Sequence, residues 1–131
     1  MEIQQTRIVL KARNFDLTNR FYEQVLGFPR LNSWESEDGR SALFLVGTAV
    51  VEVRGRSRPG ETSGRDEAYD YQGPSHKLSI EIVVSSAEEV YQELLFRDRN
   101  IPGGLRQDGS GTLMFGTHDP DGVKIIFREA A

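Results

Sequence analysis

Residues 19–28 read NRFYEQVLGF and mark the end of a helix. Phe21, Val25 and Leu26 continue a helical spacing of apolar residues that begins at Leu17, so these four positions are predicted to be buried. Gly27 stands where a left-handed C-cap belongs, and the proline two residues later cannot continue the helix. The helix therefore ends at this point, and an extended segment follows it.

Short strands flank this helix and complete a βαβββ unit. The strand before it alternates in polarity, and Asn14 or Asp16 is expected to cap the helix. After the helix, Asp38-Gly39 is a strong hairpin signal between two short apolar runs. The predicted strands are residues 6–12, 28–36, 40–46 and 49–53.

The second half of the chain repeats this order of elements. A strand over residues 77–84 precedes a helix whose cap is Ser85 or Ser86, and Asp119-Pro120-Asp121-Gly122 is a turn before the last strand. The stripe expected to be buried on this helix is Val90, Tyr91, Leu94 and Leu95. Superposing the halves places Arg7 on Ser79 and Glu52 on Ile126, which is an internal duplication.

These patterns predict an α+β fold in one domain spanning residues 1–131. Two βαβββ units, over about residues 5–54 and 76–129, are expected to form a curved mixed sheet that encloses a cavity, with the helices on its outer face. Residues 55–75 are rich in glycine and charge, and they are interpreted as a linker loop. Within that stretch, Tyr69 and Tyr71 are candidates to close over a ligand.

The composition of the chain excludes several classes of functional site and partner. The chain has 131 residues, a formal charge of −4 and no cysteine, which excludes disulfides, thiolate nucleophiles and cysteine metal sites. Its acidity argues against a nucleic-acid partner and would suit a cationic ligand. Neither a signal peptide nor an apolar run long enough to span a membrane is visible, so a cytoplasmic protein without a membrane partner is expected.

Paired βαβββ units, the NRFYxxxLGF segment and the closing DPDG turn resemble the vicinal oxygen chelate superfamily. That superfamily includes glyoxalases, extradiol dioxygenases, fosfomycin-resistance enzymes and bleomycin-resistance proteins. The resemblance covers essentially the whole chain. It implies the glyoxalase/bleomycin-resistance fold and a homodimer, and it implies metal ligands on the first and last strand of each unit.

Carried onto this chain, the metal-ligand positions are Arg7, Glu52, Ser79 and Ile126, and only Glu52 has a side chain of the ligand type. A catalytic divalent metal normally takes about three protein ligands. No metal and no other cofactor is therefore expected. A divalent metal held by displaced ligands is the alternative, with His76, Glu81 and His118 as the side chains to consider.

Six residues are candidates for ligand binding: Arg7, Trp34, Glu52, Ser79, Glu81 and Ile126. Arg7 and Glu52 are expected to form an ion pair. Either this pair orients a polar ligand, or the two charges only neutralise each other. Trp34, with Phe44 or Phe115, is a candidate to stack on a ligand. Glu52 and Glu81 are weak candidates for a general base, and no catalytic residue is assigned. Arg54, Arg56 and Arg58 are interpreted as the solvated end of a strand.

Three functions follow from these residues. The favoured one is a small-molecule binding protein of the bleomycin-resistance type, whose ligand is antibiotic-like or a metabolite and whose pocket holds no metal. The alternative is a metal-dependent lyase, isomerase or dioxygenase of the same superfamily with displaced ligands. The third is a cofactor-free isomerase in which Glu52 or Glu81 serves as the base.

Overall fold

A computed structural model describes residues 1–56, 77–97 and 101–131. The chain divides into two compact units, unit 1 over residues 1–72 and unit 2 over residues 73–131. The described elements of unit 1 are β1 (Arg7–Lys11), α1 (Phe15–Arg20), a π-helical turn (Phe21–Val25), β2 (Arg30–Ser36), β3 (Gly39–Val46) and β4 (Ala49–Gly55). Those of unit 2 are β5 (Ser79–Val84), α2 (Ala87–Arg97), β6 (Arg106–Gln107), β7 (Leu113–His118) and β8 (Lys124–Glu129).

Each unit contains one four-stranded mixed sheet. The strand order is β1-β4-β3-β2 in unit 1 and β5-β8-β7-β6 in unit 2. The β1–β4 and β5–β8 pairs are parallel, and the other neighbouring pairs are antiparallel. The predicted α+β class and the two βαβββ units are confirmed. The described strands form one sheet per unit, whereas a single curved sheet was expected.

The pairing register shows that the two halves are equivalent. Arg7 lies opposite Val50 in unit 1, and Ser79 lies opposite Lys124 in unit 2. Glu52 and Ile126 each lie two residues further along the last strand, so the superposition made from the sequence is correct. Because side chains alternate with a period of two, Glu52 lies on the same sheet face as Arg7, and Ile126 lies on the same sheet face as Ser79.

Alternation also separates an apolar face from a polar one in unit 1. Leu10, Phe44, Val51 and Val53 are buried on the side of α1, where the Tyr22 ring lies 6.2 Å from that of Phe44. In unit 2 the Phe115 ring stacks on that of Phe127 at 5.0 Å and meets that of Tyr91 at 5.3 Å. The remaining face of each sheet is the one that carries the polar candidates.

The first helix confirms its predicted buried face in part. Asn14 is the N-cap, and its Oδ1 accepts a hydrogen bond from the N–H of Leu17 at 3.1 Å. Phe21 and Leu26 are buried as predicted, whereas Leu17 is 45% exposed. Phe15 and Tyr22 are buried in addition. The helix also widens into the π-helical turn, which adds a residue to the turn and shifts the buried face.

The second helix follows its prediction more closely. The Ser86 hydroxyl accepts the N–H of Glu89 at 3.2 Å, as the capping pattern requires. Leu94 is buried, and the other three residues of the predicted stripe are half-buried. Leu78 precedes β5 and is exposed, so the strand begins later than predicted. In the three described ranges, no helix combines the length and the apolar character needed to cross a membrane.

Candidate functional site

One row of side chains crosses the whole sheet of unit 1. Trp34 on β2 lies opposite Ser41 on β3, Ser41 lies opposite Arg54 on β4, and Arg54 lies opposite Lys11 on β1. Residues in register on neighbouring strands have their side chains on the same face of the sheet. The row therefore places an aromatic ring, a hydroxyl, a guanidinium and an ammonium group side by side.

These four side chains line a cavity of about 430 Å³. This volume lies within the range of small-molecule sites in proteins. Trp34 remains 41% exposed there, although it is a large aromatic residue. The lining residues in the described part of the chain are Lys11, Trp34, Ser36, Asp38, Gly39, Arg40, Ser41, Glu52 and Arg54.

Glu52 is the buried carboxylate of this site, with 2% of its surface exposed. One of its oxygens, Oε1, contacts Nη1 of Arg7 at 3.3 Å. The other, Oε2, accepts hydrogen bonds from Nε of Arg54 at 2.9 Å and from the Ser41 hydroxyl at 3.2 Å, and Nη2 of Arg54 forms an ion pair with it at 2.8 Å. Both oxygens are thus occupied by donors of the chain itself.

The pKa of Glu52 reflects two opposing effects. Burial raises the pKa, but the hydrogen bonds and positive charge of Arg54, with smaller contributions from Ser41 and Arg7, outweigh it and hold the pKa below its ordinary value. Glu52 is therefore kept as a carboxylate whose lone pairs are already engaged. Such a group is a poor proton acceptor, which weakens its candidacy as a general base.

Arg40 forms another wall of the cavity, and its guanidinium is held in place from three sides. Its Nε donates to the carbonyl oxygen of Arg56 at 3.1 Å, and its Nη1 lies 3.2 Å from Oδ1 of Asp16. The guanidinium carbon also lies 4.6 Å from the centre of the Phe15 ring. These contacts neutralise and immobilise Arg40, so it shapes the cavity without adding a free charge.

Unit 2 carries a different set of groups at the corresponding face. Ser79 is exposed and Ile126 is half-buried. Glu81 forms an ion pair with Arg128, which also contacts Asp108. The hydrogen bond from Arg128 to Glu81 is the largest cause of a raised pKa at Arg128. Glu81 is thus engaged by a cation, and in this arrangement it is not a free base.

The metal that the family resemblance implies does not fit the residues present. Only Glu52 among the four ligand positions can coordinate a cation, and both of its oxygens already accept hydrogen bonds from the chain. Within the described ranges, no group of three histidine, aspartate, glutamate or cysteine side chains is placed to hold an ion. His118 is exposed at the end of β7, and His76 lies outside the described residues.

Several expectations about ligand-binding side chains need correction. Phe44 and Phe115 are fully buried in their cores, so neither can stack on a ligand beside Trp34. Arg54, interpreted as the solvated end of a strand, is exposed at the end of β4, and its guanidinium in addition bonds to Glu52 at the cavity. The predicted roles of Tyr69 and Tyr71, like Arg58, fall outside the described residues.

Seven of the lining residues were not among the ligand-binding candidates expected from the sequence: Lys11, Ser36, Asp38, Gly39, Arg40, Ser41 and Arg54. Lys11 shares its strand face with Arg7, which was a usable signal. Ser41 and Arg54 required the pairing register of β2, β3 and β4. That register depends on contacts distant in sequence, and alternation within one strand does not reveal it.

Solved structures share this fold over nearly the whole chain. A glyoxalase family protein from Enterococcus faecalis is 25% identical with a TM-score of 0.66, and the alignment covers 98% of this chain and 97% of that one. A lactoylglutathione lyase from Agrobacterium tumefaciens is 15% identical with a TM-score of 0.62, covering 95% and 91%. A glyoxalase I variant from Zea mays is 16% identical with a TM-score of 0.73, covering 95% of this chain and 44% of that one.

Comparison with sequence families agrees with the fold. No curated protein matches the sequence significantly. A family model described as Glyoxalase/Bleomycin resistance protein/Dioxygenase superfamily matches residues 4–127. Because the match includes both βαβββ units, the chain belongs to the glyoxalase/bleomycin resistance protein/dioxygenase superfamily.

Proposed function

We propose that this chain binds a small organic molecule in the cavity of unit 1 and holds it with its own side chains, without a metal ion. The observation that carries the proposal is that both carboxylate oxygens of Glu52 are already bonded to side chains of the protein. Its two oxygens accept hydrogen bonds from Arg7, Arg54 and Ser41, so the one ligand-type residue at the family's metal positions is already engaged.

The cavity offers contacts that a small molecule can use directly. Trp34 presents a large exposed aromatic surface on one side. Arg54 is 45% exposed, and only its Nε and Nη2 bond to Glu52. Pockets with an apolar wall and a few placed polar groups are typical small-molecule sites. These contacts support the binding of a small molecule, but they do not identify a reaction.

A ligand screen in the presence of a chelator tests the proposal. Small aromatic acids, alcohols and amines would be screened by ligand-observed NMR against the whole chain in EDTA, and then again with added zinc or manganese. We expect binding of at least one class in EDTA and no tighter binding with either metal. Binding that occurs only with metal, or no binding under either condition, would contradict the proposal.

The resonance of the Trp34 indole N–H locates the binding site in the same experiment. Because the chain has only one tryptophan, this resonance needs no assignment by mutagenesis. A ligand in the cavity must shift it, since Trp34 lines the cavity. Binding that leaves the Trp34 signal unchanged would place the ligand elsewhere and would also contradict the proposal.

A further inference from the structure

We infer that the ligand of this cavity is a small aromatic acid whose anionic group is bound by Lys11 and Arg54 and whose ring lies on Trp34. This inference rests on the proposed function and specifies the class of ligand. It follows from the charges around the cavity and from the order of the side chains across the sheet.

Lys11 supplies an unneutralised positive charge. It lines the cavity, and it forms no ion pair or side-chain hydrogen bond with any residue in the described ranges. An ammonium group with no partner is a strong donor for a carboxylate or phosphate. Lys11 thus differs from Arg40, whose charge is taken up by Asp16.

Arg54 adds a second donor beside Lys11. Glu52 is shared between Arg54 and Arg7, so one carboxylate faces two guanidinium groups and positive charge remains in excess. Arg54 engages Glu52 through Nε and Nη2, which leaves Nη1 for a ligand. Arg54 and Lys11 are in register on adjacent strands, whose backbones are about 4.8 Å apart. Two such donors can bind one anionic group together.

Asp38 is the one exposed acid in the lining, and it lies on the turn between β2 and β3. It reduces the positive excess but does not cancel it. Among the described residues, Lys11, Arg54 and the Glu52 partner Arg7 carry three positive charges against the two negative charges of Glu52 and Asp38. The local charge is therefore positive although the whole chain carries −4. The charge at this cavity therefore favours an anionic ligand, whereas the overall charge favours a cationic one.

The aromatic part of the inference comes from the position of Trp34. Two strand spacings, or about 10 Å, separate the backbones of β2 and β4. The distance between the Trp34 ring and the Arg54 guanidinium is shorter, because the Arg54 side chain is long. A fused ring with a carboxylate attached to it has the right extent to contact Trp34 and the cationic pair at once. The hydroxyl of Ser41 lies between them in the row, but it is engaged with Glu52.

Three naphthalene derivatives of matched size test the inference: naphthalene-2-carboxylate, 2-naphthylmethanol and 2-naphthylmethylammonium. Binding to the whole chain in EDTA would be measured by calorimetry, with the Trp34 indole N–H signal as the site reporter. We expect the carboxylate to bind about tenfold more tightly than the alcohol, the ammonium compound to bind weakest, and added salt to weaken the carboxylate alone.

Lys11→Met provides the residue-level test, and Lys124→Met, which changes an exposed lysine of unit 2, is its control. We expect Lys11→Met to weaken the carboxylate about fivefold or more and to leave the alcohol unchanged, because only the charge-assisted contact is lost. Lys124→Met is expected to affect neither ligand.

The outcomes separate this inference from the proposed function. If the alcohol or the ammonium compound binds as tightly as the carboxylate and shifts Trp34, the anionic class is wrong while binding without metal stands. If Lys11→Met weakens all three compounds equally, the charge of Lys11 is not what selects the ligand, and the inference fails. If none of the three shifts Trp34, the inference fails, and the ligand screen decides the proposed function separately.

Discussion

Arg54 and Arg128 occupy equivalent positions in the two units, but the carboxylates that they pair with lie on non-equivalent strands. Arg54 bonds to Glu52, two residues earlier on the same strand. Arg128 pairs with Glu81 on the neighbouring β5 and also with Asp108 before β7. The buried carboxylate of unit 1 is replaced by Ile126 in unit 2. Among the described residues, this combination of a buried carboxylate with half-exposed cations beside a cavity is therefore found in unit 1 alone.

Replacing Arg54 by methionine is expected to destabilise the fold. Glu52 would lose the hydrogen bond and the ion pair with Arg54 while staying buried, at a cost of about 1–3 kcal/mol in the free energy of unfolding. The same change should raise the pKa of Glu52, because Arg54 is the main group that lowers it. Urea unfolding gives the first quantity, and NMR titration of the Glu52 carboxyl carbon gives the second.

Arg20→Met is the control for this substitution. Arg20 is an exposed arginine at the end of α1, and its replacement should change the stability by only a few tenths of a kcal/mol. Equal effects of the two substitutions on stability, or an unchanged pKa of Glu52 in Arg54→Met, would show that the pair contributes nothing specific.

The lowered pKa of Asp108 makes the stability of the fold depend on pH in the acidic range. The side-chain and backbone groups of Ser110, the N–H of Thr112 and Arg128 lower the pKa of Asp108 to about 2. The unfolded value is about 3.9, so the folded state favours the ionised form. Its stabilisation is complete above about pH 4 and is lost as the pH falls toward 2.

Thermal unfolding between about pH 5 and pH 2, the range set by these two pKa values, measures that loss. We expect Asp108→Asn to lower the melting temperature at the upper end and to reduce the fall on acidification. Asp38→Asn, at an exposed turn position, should keep the wild-type slope. An Asp108→Asn variant whose slope matches that of wild type would contradict the assignment.

Much of the fold could be predicted from local sequence signals. Asn14, Ser86 and Asp119 each fix the start of a helix or a turn through hydrogen bonds to nearby backbone N–H groups, and such signals lie within a few residues. Strand alternation gave the correct equivalence of Glu52 and Ile126. The helix face around Leu17 was wrong because the π-helical turn changes the periodicity, and periodicity was the only signal used.

The candidate site was harder to predict because its members meet only through the register of the sheet. Glu52 and Trp34 were identified, and the structure places both in the lining of one cavity. The partners of Glu52 were identified only in part: Arg7 was expected, whereas Ser41 and Arg54 were not. Their contribution requires β3 and β4 to be paired in one particular register, which no single strand encodes.

Trp34 provides a test of the aromatic wall. Trp34→Ala is expected to weaken binding of naphthalene-2-carboxylate about tenfold, because both ring stacking and apolar contact are lost. Leu31→Ala is a matched control, since Leu31 is an exposed apolar residue of the same strand and lies outside the cavity lining. If both substitutions weaken binding equally, the effect comes from the edge strand and not from the Trp34 ring.

Gly55 tests the packing that supports the site. A Cβ atom at Gly55 would lie 2.5 Å from the Cβ of Phe15, which no side-chain rotation can relieve. Gly55→Ala should therefore lower the free energy of unfolding by about 1–3 kcal/mol, in the range known for overpacked cores. Gly109→Ala, where nothing lies within 4 Å, is the control and should be nearly neutral. Equal stabilities in urea would contradict the packing of α1 on β4.

The metal content of the protein tests the central claim most directly. The untagged chain would be incubated in turn with zinc, nickel, manganese, iron and magnesium salts, desalted, and measured by elemental analysis beside Glu52→Gln. Because Glu52 is engaged by Arg7, Arg54 and Ser41, we expect far less than one metal per chain, with no difference between the two proteins. Near-stoichiometric metal in the wild type that is lost in Glu52→Gln would show that Glu52 is a ligand, and it would contradict a site that binds its ligand without metal.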